Sequence, residues 1–257
     1  DSEHFRCIAG RFAKSKIIGI GERMIEMLHT DCMDYMATLP DKAFDLAIVD
    51  PPYGIGMDGS RNASRGKLAI AKDYKPFSGN DKETPPPEYF KELFRVSKNQ
   101  IIWGGNYMAS FLPSRMGWIF WDKHMTGDFS AGELAFTSFD RALEKFDFAW
   151  NGMLQGNMKN KESRIHPTQK PVALYKWLLS RYAKPGDKIL DTHGGSGSIC
   201  IACHDLGFDL TWMELDKDYY EAACKRYKNH AAQASLFDPV ELTRATETPE
   251  LFGANDQ

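Results

Sequence analysis

An apolar run, Phe44-Asp45-Leu46-Ala47-Ile48-Val49, stops at the tetrapeptide Asp50-Pro51-Pro52-Tyr53. A short run of this kind reads as a buried strand. A proline pair can neither continue a ladder nor open a helix interior, so the strand must end in a rigid turn with an aspartate at its mouth. Two other strands end as sharply. Lys188-Ile189-Leu190-Asp191 runs into Thr192-His193-Gly194-Gly195-Ser196-Gly197-Ser198 and an apolar helix, and Leu210-Thr211-Trp212-Met213-Glu214 stops on an acid. Gln100–Trp103 and Trp118–Trp121 add further strands. Helices are expected over Pro87–Val96, which opens on prolines, over 171–183, with Val172, Leu174, Trp177, Leu178 and Tyr182 at helical spacing, and over Ile199–Leu206, closed by Gly207. Strands alternating with helices predict an α/β fold: a mainly parallel sheet with helices on both faces.

The 257 residues suffice for one such domain and contain no apolar run long enough to span a bilayer, so no membrane role is expected. No secretory signal is visible at the start. The five cysteines are scattered; Cys200 and Cys203 form a C-x-x-C, but inside a small-apolar helical stretch, and they are expected as buried thiols rather than zinc ligands. That usage suits a reducing cytoplasm.

Net charge is −3, yet residues 231–257 hold one arginine against five acids, which leaves +1 on residues 1–230. Two stretches are locally basic: 55–80, with Arg61, Arg65, Lys67, Lys72 and Lys75, and 155–170, with Lys159, Lys161, Arg164 and Lys170. Either could line a phosphate backbone, and either alone could equally be a solvated loop. Residues 54–88 read as a long mobile loop and 231–257 as an acidic, disordered tail. Gly19-Ile20-Gly21 is expected to be a turn.

Two constellations carry chemistry. Glycines directly after the strand at 188–191 let the backbone approach a ligand, and the following helix start presents free N–H groups. Glu214, ending the next strand, stands where a carboxylate would hold a ribose diol. Together they favour an adenosine-containing cofactor. Asp50-Pro51-Pro52-Tyr53 is more specific. An exocyclic amine on a nucleobase is a poor nucleophile because its lone pair is delocalised into the ring. A fixed carboxylate and a backbone carbonyl can accept its two N–H bonds and stabilise the developing positive charge. Tyr53 then offers a ring face to a base outside the duplex.

In this combination the chain resembles the DNA amino-methyltransferases, whose members carry a [D/N/S]-P-P-[Y/F/W] motif and a glycine-rich cofactor loop. The catalytic motif here precedes the loop, with His166-Pro167-Thr168-Gln169-Lys170-Pro171 between them. That order resembles the β class, a circularly permuted Rossmann-like fold, over about residues 24–228. The resemblance implies S-adenosyl-L-methionine as cofactor and DNA as substrate. It places Asp50, Pro51, Pro52 and Tyr53 in catalysis; Asp191, Gly195 and Gly197 on the methionine part of the cofactor, with Thr168 and Lys170 opposite; Glu214 on the ribose; and Asp31 and Cys32 at the adenine edge. Arg61, Arg65, Lys67, Lys72, Lys159, Lys161 and Arg164 are then expected on DNA. The opening aspartate favours adenine N6 over cytosine N4, and the absence of a Pro-Cys pair disfavours carbon-5 chemistry. The family's loop usually reads D-P-F-x-G-S-G-T; His193 stands where it has the aromatic, as a packing substitute or a group titrating near neutral pH. A methyltransferase domain over 1–230 is expected, with a small target-recognition insert at about 123–165, in a bacterial or phage-encoded cytoplasmic enzyme. A homodimer is a family expectation, and Gln233, Leu236 and Phe237 resemble a sliding-clamp docking peptide.

Overall fold

The computed structural model describes residues 2–8, 11–20, 23–56, 81–125, 130–151, 154–159 and 161–236. Its frame is a ten-stranded sheet ordered β1-β2-β3-β12-β11-β4-β5-β7-β6-β8. The strands are β1 (Ser2–Ile8), β2 (Arg11–Ile20), β3 (Arg23–His29), β4 (Phe44–Val49), β5 (Ser97–Trp103), β6 (Trp118–Asp122), β7 (Gly132–Thr137), β8 (Glu144–Asp147), β11 (Lys188–Asp191) and β12 (Asp209–Glu214). A separate pair, β9 (Trp150–Asn151) and β10 (Leu154–Gln155), lies outside it. The helices are α1 (Cys32–Met36), α2 (Pro87–Val96), α3 (Val172–Tyr182), α4 (Ser198–Leu206) and α5 (Lys217–Leu236).

The centre is parallel: β3 pairs with β12, β12 with β11, β11 with β4 and β4 with β5. β4 shows why its sequence is apolar without alternation. Leu46 and Ile48 point into a core with Leu178, Ile189 and Ile199, while Ala47 and Val49 point into another with Leu93, Leu190 and Met213. A strand covered by helices on both faces reads as continuous hydrophobicity. The strand order turns around at β11 and β4: later neighbours lie on one side of β11, β5 on the far side of β4. In open α/β sheets the crevice beyond the carboxyl ends of such a strand pair is where ligands bind. Asp191 with its glycine loop and Asp50 with its prolines are the two segments that leave this point.

Proline at the first turn opens α2 as expected, and Gly207 closes α4 in the left-handed conformation at φ +82°. Cys200 and Cys203 are buried in α4, their thiols pushed well up by burial.

Four expectations are corrected. Gly19 and Ile20 belong to β2, which pairs antiparallel with β1 and with β3, while Gly21 lies outside the described residues. Backbone pairing, which leaves no local signature, sets these ladders. The expected insert at 123–165 gives β7 and β8 to the main sheet, because Ala135 and Phe136 complete the core beside β5 and β6. Pro87 and Glu88, within the expected 54–88 loop, start α2, and residues 57–80 lie outside the described residues. The acidic tail begins later than 231, since α5 continues to Leu236 with Ala231 buried; 237–257 lie outside the described residues. Among the described residues, no helix is long and apolar enough to cross a membrane.

Candidate active site

A cavity of about 420 Å³ opens at the carboxyl ends of β4 and β11, within the range of small-molecule sites. Of the catalytic and cofactor residues expected from sequence, all but Asp191 and Gly197 line it.

The loop side is built on close approach. A Cβ at Gly194 would fall 1.8 Å from the indole of fully buried Trp212, so the backbone can lie against β12 only with glycine there. Gly195 and Gly197 hold φ of +53° and +67°, and the turn between them delivers the chain to the start of α4. The Gly195 N–H donates to Glu214 Oε2 at 2.8 Å, and the Asp216 N–H donates to Oε1 at 2.8 Å. Burial raises the Glu214 carboxyl above its ordinary range. Asp191 lies behind the loop, accepting the His193 N–H at 3.1 Å. Burial pushes its carboxyl up to about 8, against that hydrogen bond, and the charges of Asp50 and Glu214 add to the rise.

His193 does not titrate near neutrality. Its ring meets Tyr89 edge-on at 5.2 Å, Nδ1 lies 2.9 Å from Thr192 Oγ1, and burial pulls it down to about 4, leaving neutral imidazole. Asp31 caps α1 by accepting the Met33 N–H at 2.7 Å. Burial and neighbouring Asp31 push the Cys32 thiol up to about 12, so it lines the cavity as a thiol. Thr168 is exposed, and its hydroxyl lies 3.0 Å from Nδ1 of buried His166.

The side of the cavity that holds Asp50 shows one contact that the sequence does not signal. Lys170, assigned to the cofactor by sequence, lies almost fully buried with Nζ 2.5 Å from Asp50 Oδ2 and 3.1 Å from Glu133 Oε2. It also donates to Tyr53 Oη at 3.2 Å. The Tyr53 hydroxyl donates to Asp50 Oδ1 at 2.7 Å, and its backbone N–H donates to Asp81 Oδ1 at 2.8 Å. Tyr107, which does not line the cavity, stacks parallel to the Tyr53 ring at 5.2 Å. Glu133, from β7, closes the group and pairs with Lys123. Burial by itself would raise Glu133, but Lys170 and Lys123 hold it well below the usual carboxylate range. Sequence reading missed Glu133 and Lys123: neither sits in a motif, and only the β6–β7 pairing brings them here.

Of the residues expected on DNA, Lys159 and Lys161 are exposed. Arg164 turns inward, its guanidinium 4.5 Å above the Trp150 ring. Arg61, Arg65, Lys67 and Lys72 lie outside the described residues.

Arg226 of α5 was also missed. It donates to the Ser196 carbonyl at 2.9 Å and to Glu162 Oε2 at 2.8 Å, while Glu162 Oε1 accepts the Val172 N–H at 2.9 Å. This pair ties the start of α3 to the glycine loop. Removing one partner of a buried pair costs about 3 kcal/mol or more. Arg226→Ala should therefore lower the melting temperature by roughly 6–12 °C. Joint replacement of Glu162 and Arg226 by methionine should lose less, and a scanning calorimetry series comparing the two checks this.

Residues 135–225, which run from β7 through the glycine loop into α5, match the family model described as DNA methylase. The chain is 26% identical over 240 residues to the type II methyltransferase M.HpaI of Haemophilus parainfluenzae, covering 78% of this chain and 73% of that one. It is 27% identical over 226 residues to the putative methylase YubD of Escherichia coli (strain K12), covering 79% and 90%. Among solved structures, the PvuII DNA methyltransferase (cytosine-N4-specific) shares the fold with a TM-score of 0.52 at 10% identity, covering 80% of this chain and 89% of that one. The glycine loop lies inside the matched segment, and the Asp50-Pro51-Pro52-Tyr53 tetrapeptide faces that loop across one cavity, so the chain is similar to DNA methylases in the segment that carries the loop.

Proposed function

We propose that the protein is a site-specific DNA adenine-N6 methyltransferase of the β class, acting on an adenine turned out of the duplex. The observation that carries this reading is the meeting of Asp50-Pro51-Pro52-Tyr53 and the Gly194–Gly197 loop in one cavity at the turnaround of the sheet.

The cofactor is S-adenosyl-L-methionine, and the residues present fit it. The loop backbone lies open because Gly194 has no side chain, and Glu214 is a buried acceptor at the end of β12, suited to a ribose. Gly195, Glu214, Asp31, Cys32 and Thr168 would hold it, with Asp191 and Gly197 shaping the loop from behind. When bound, it supplies a methyl group activated on a sulfonium.

The chain's own residues handle the amine. Asp50 and the Pro51 carbonyl accept its two N–H bonds, which localises the lone pair on nitrogen; proline-fixed geometry means no reorganisation as charge develops. Tyr53, backed by Tyr107, presents a ring face to the base. The proton released afterwards passes to Asp50 or to solvent. No covalent intermediate with the protein is involved.

The aspartate at position 50 supports adenine over cytosine. Lys159 and Lys161, with Arg61, Arg65, Lys67 and Lys72 of the segment after the motif, would track the phosphate backbone, and the small target-recognition region would lie within about 123–165. The reading extends to a homodimer and to a clamp-docking peptide at Gln233, Leu236 and Phe237.

The test is transfer of labelled methyl from S-adenosylmethionine to duplex DNA, followed by digestion to nucleosides. N6-methyladenine is the expected product; N4-methylcytosine would overturn the assignment of the base while leaving the chemistry.

A further inference from the structure

We propose that Glu133 is a positioning residue for the transfer step, keeping Asp50 able to receive the amine by drawing the Lys170 ammonium off it. The inference rests on the methyltransferase reading and deepens it.

The geometry is a group of charges in which Lys170 is buried and its partners are half-buried. Lys170 Nζ spends its three N–H bonds on Asp50 Oδ2, Glu133 Oε2 and Tyr53 Oη at 2.5, 3.1 and 3.2 Å. Each Asp50 oxygen thus already accepts one bond, Oδ1 from Tyr53 and Oδ2 from Lys170. The rest of Lys170 is enclosed by rings, with Nζ 5.4 Å from the centre of Trp103 and 5.6 Å from that of Tyr53. Lys123 pairs with the other oxygen of Glu133. Two carboxylates and two ammoniums therefore balance.

That balance matters because the amine gains positive charge as it reacts. A lysine held by Asp50 alone would cancel the one carboxylate the amine needs and would repel the developing cation. Sharing Lys170 with Glu133 divides its charge between two partners. Lys123 in turn fixes Glu133 as an anion and aims it. The lysine stays protonated despite burial, since Asp50 and Glu133 raise it above its ordinary value.

Glu133→Gln is isosteric and removes only the charge. It is expected to lower kcat about 100-fold, the scale of losing one preorganised electrostatic group. KM for DNA and the dissociation constant for S-adenosylmethionine should change less than about threefold, as the partners of Glu133 among the described residues are Lys123, Lys170 and Tyr53. Glu133→Asp should recover at least about tenfold of the loss, because the charge returns. Adding Lys170→Met to Glu133→Gln restores the balance, leaving Asp50 against Lys123, and the double variant should be faster than Glu133→Gln alone. If the single variant is too unstable, Lys123→Met with Glu133→Gln removes a neutral pair and should show the same fall in kcat.

A readout without substrate separates this inference from the function it rests on. Nitrogen-15 NMR of Lys170 should show its pKa falling in Glu133→Gln relative to wild type. Wild-type protein that methylates no DNA would sink the functional reading alone. Full kcat in Glu133→Gln, a double variant slower than the single one, or an unmoved Lys170 titration would overturn the role given to Glu133.

Discussion

Asp50→Ala is expected to reduce methyl transfer by about a thousandfold or more, with S-adenosylmethionine affinity within about threefold of wild type. The two effects separate because Asp50 and the loop stand on different strands. Its carboxylate bonds to Tyr53 and Lys170, and among the described residues neither of these is hydrogen-bonded to the Gly194–Ser196 backbone. Glu214, by contrast, is held by loop N–H groups and has no hydrogen bond to the catalytic motif. Isothermal titration with the cofactor and a labelled-methyl assay on DNA measure the two quantities. Cofactor affinity collapsing together with activity would mean that the roles are not divided between β4 and β11 as described.

Gly194→Ala is expected to weaken cofactor binding by about 100-fold, close to 2.7 kcal/mol. The added Cβ would meet the Trp212 indole at 1.8 Å, and Trp212 is fully buried with no room to withdraw. The loop must lift instead, breaking the Gly194 N–H bond to the Met213 carbonyl at 2.8 Å and moving the Gly195 N–H off Glu214. Overpacking of this kind costs about 1–3 kcal/mol. Trp212→Leu in the same chain relieves the contact and should return part of the affinity. Unchanged binding in Gly194→Ala would show that this backbone does not cradle the cofactor.

What sequence revealed and what it hid follow from the range of the interactions. Proline and glycine act on their own backbone, so the turn at 50–53 and the loop at 192–198 were legible, as were strands that are apolar on both faces. Lys170 was legible as a site residue, but its carboxylate partner was not: its motif sits beside the loop in sequence, whereas its ammonium reaches across the cavity to Asp50. Glu133 lies between Gly132 and Leu134 in a strand that pattern alone assigned to an insert. Its function appears only when β7 pairs with β5 and β6. Arg226 reads as one more charge on a polar helix face, and its partner Glu162 reads as the odd acid in a basic stretch. The N-terminal hairpin was missed for a different reason, since its pairing with β3 is made by backbone that any residues could supply.

The position of β11 has a consequence for how such a chain is made. It inserts between β12 and β4, so the middle of the sheet is completed by residues translated well after β3 and β4. A nascent chain that has emerged only to α3 presents β3 and β4 as two open, apolar edges with their ladder partners still missing. Exposed edges of that kind invite pairing with other chains, and contacts this distant in sequence form slowly. The arrangement that sets the proline turn and the glycine loop side by side thus leaves these two strand edges open until β11 and β12 have been made.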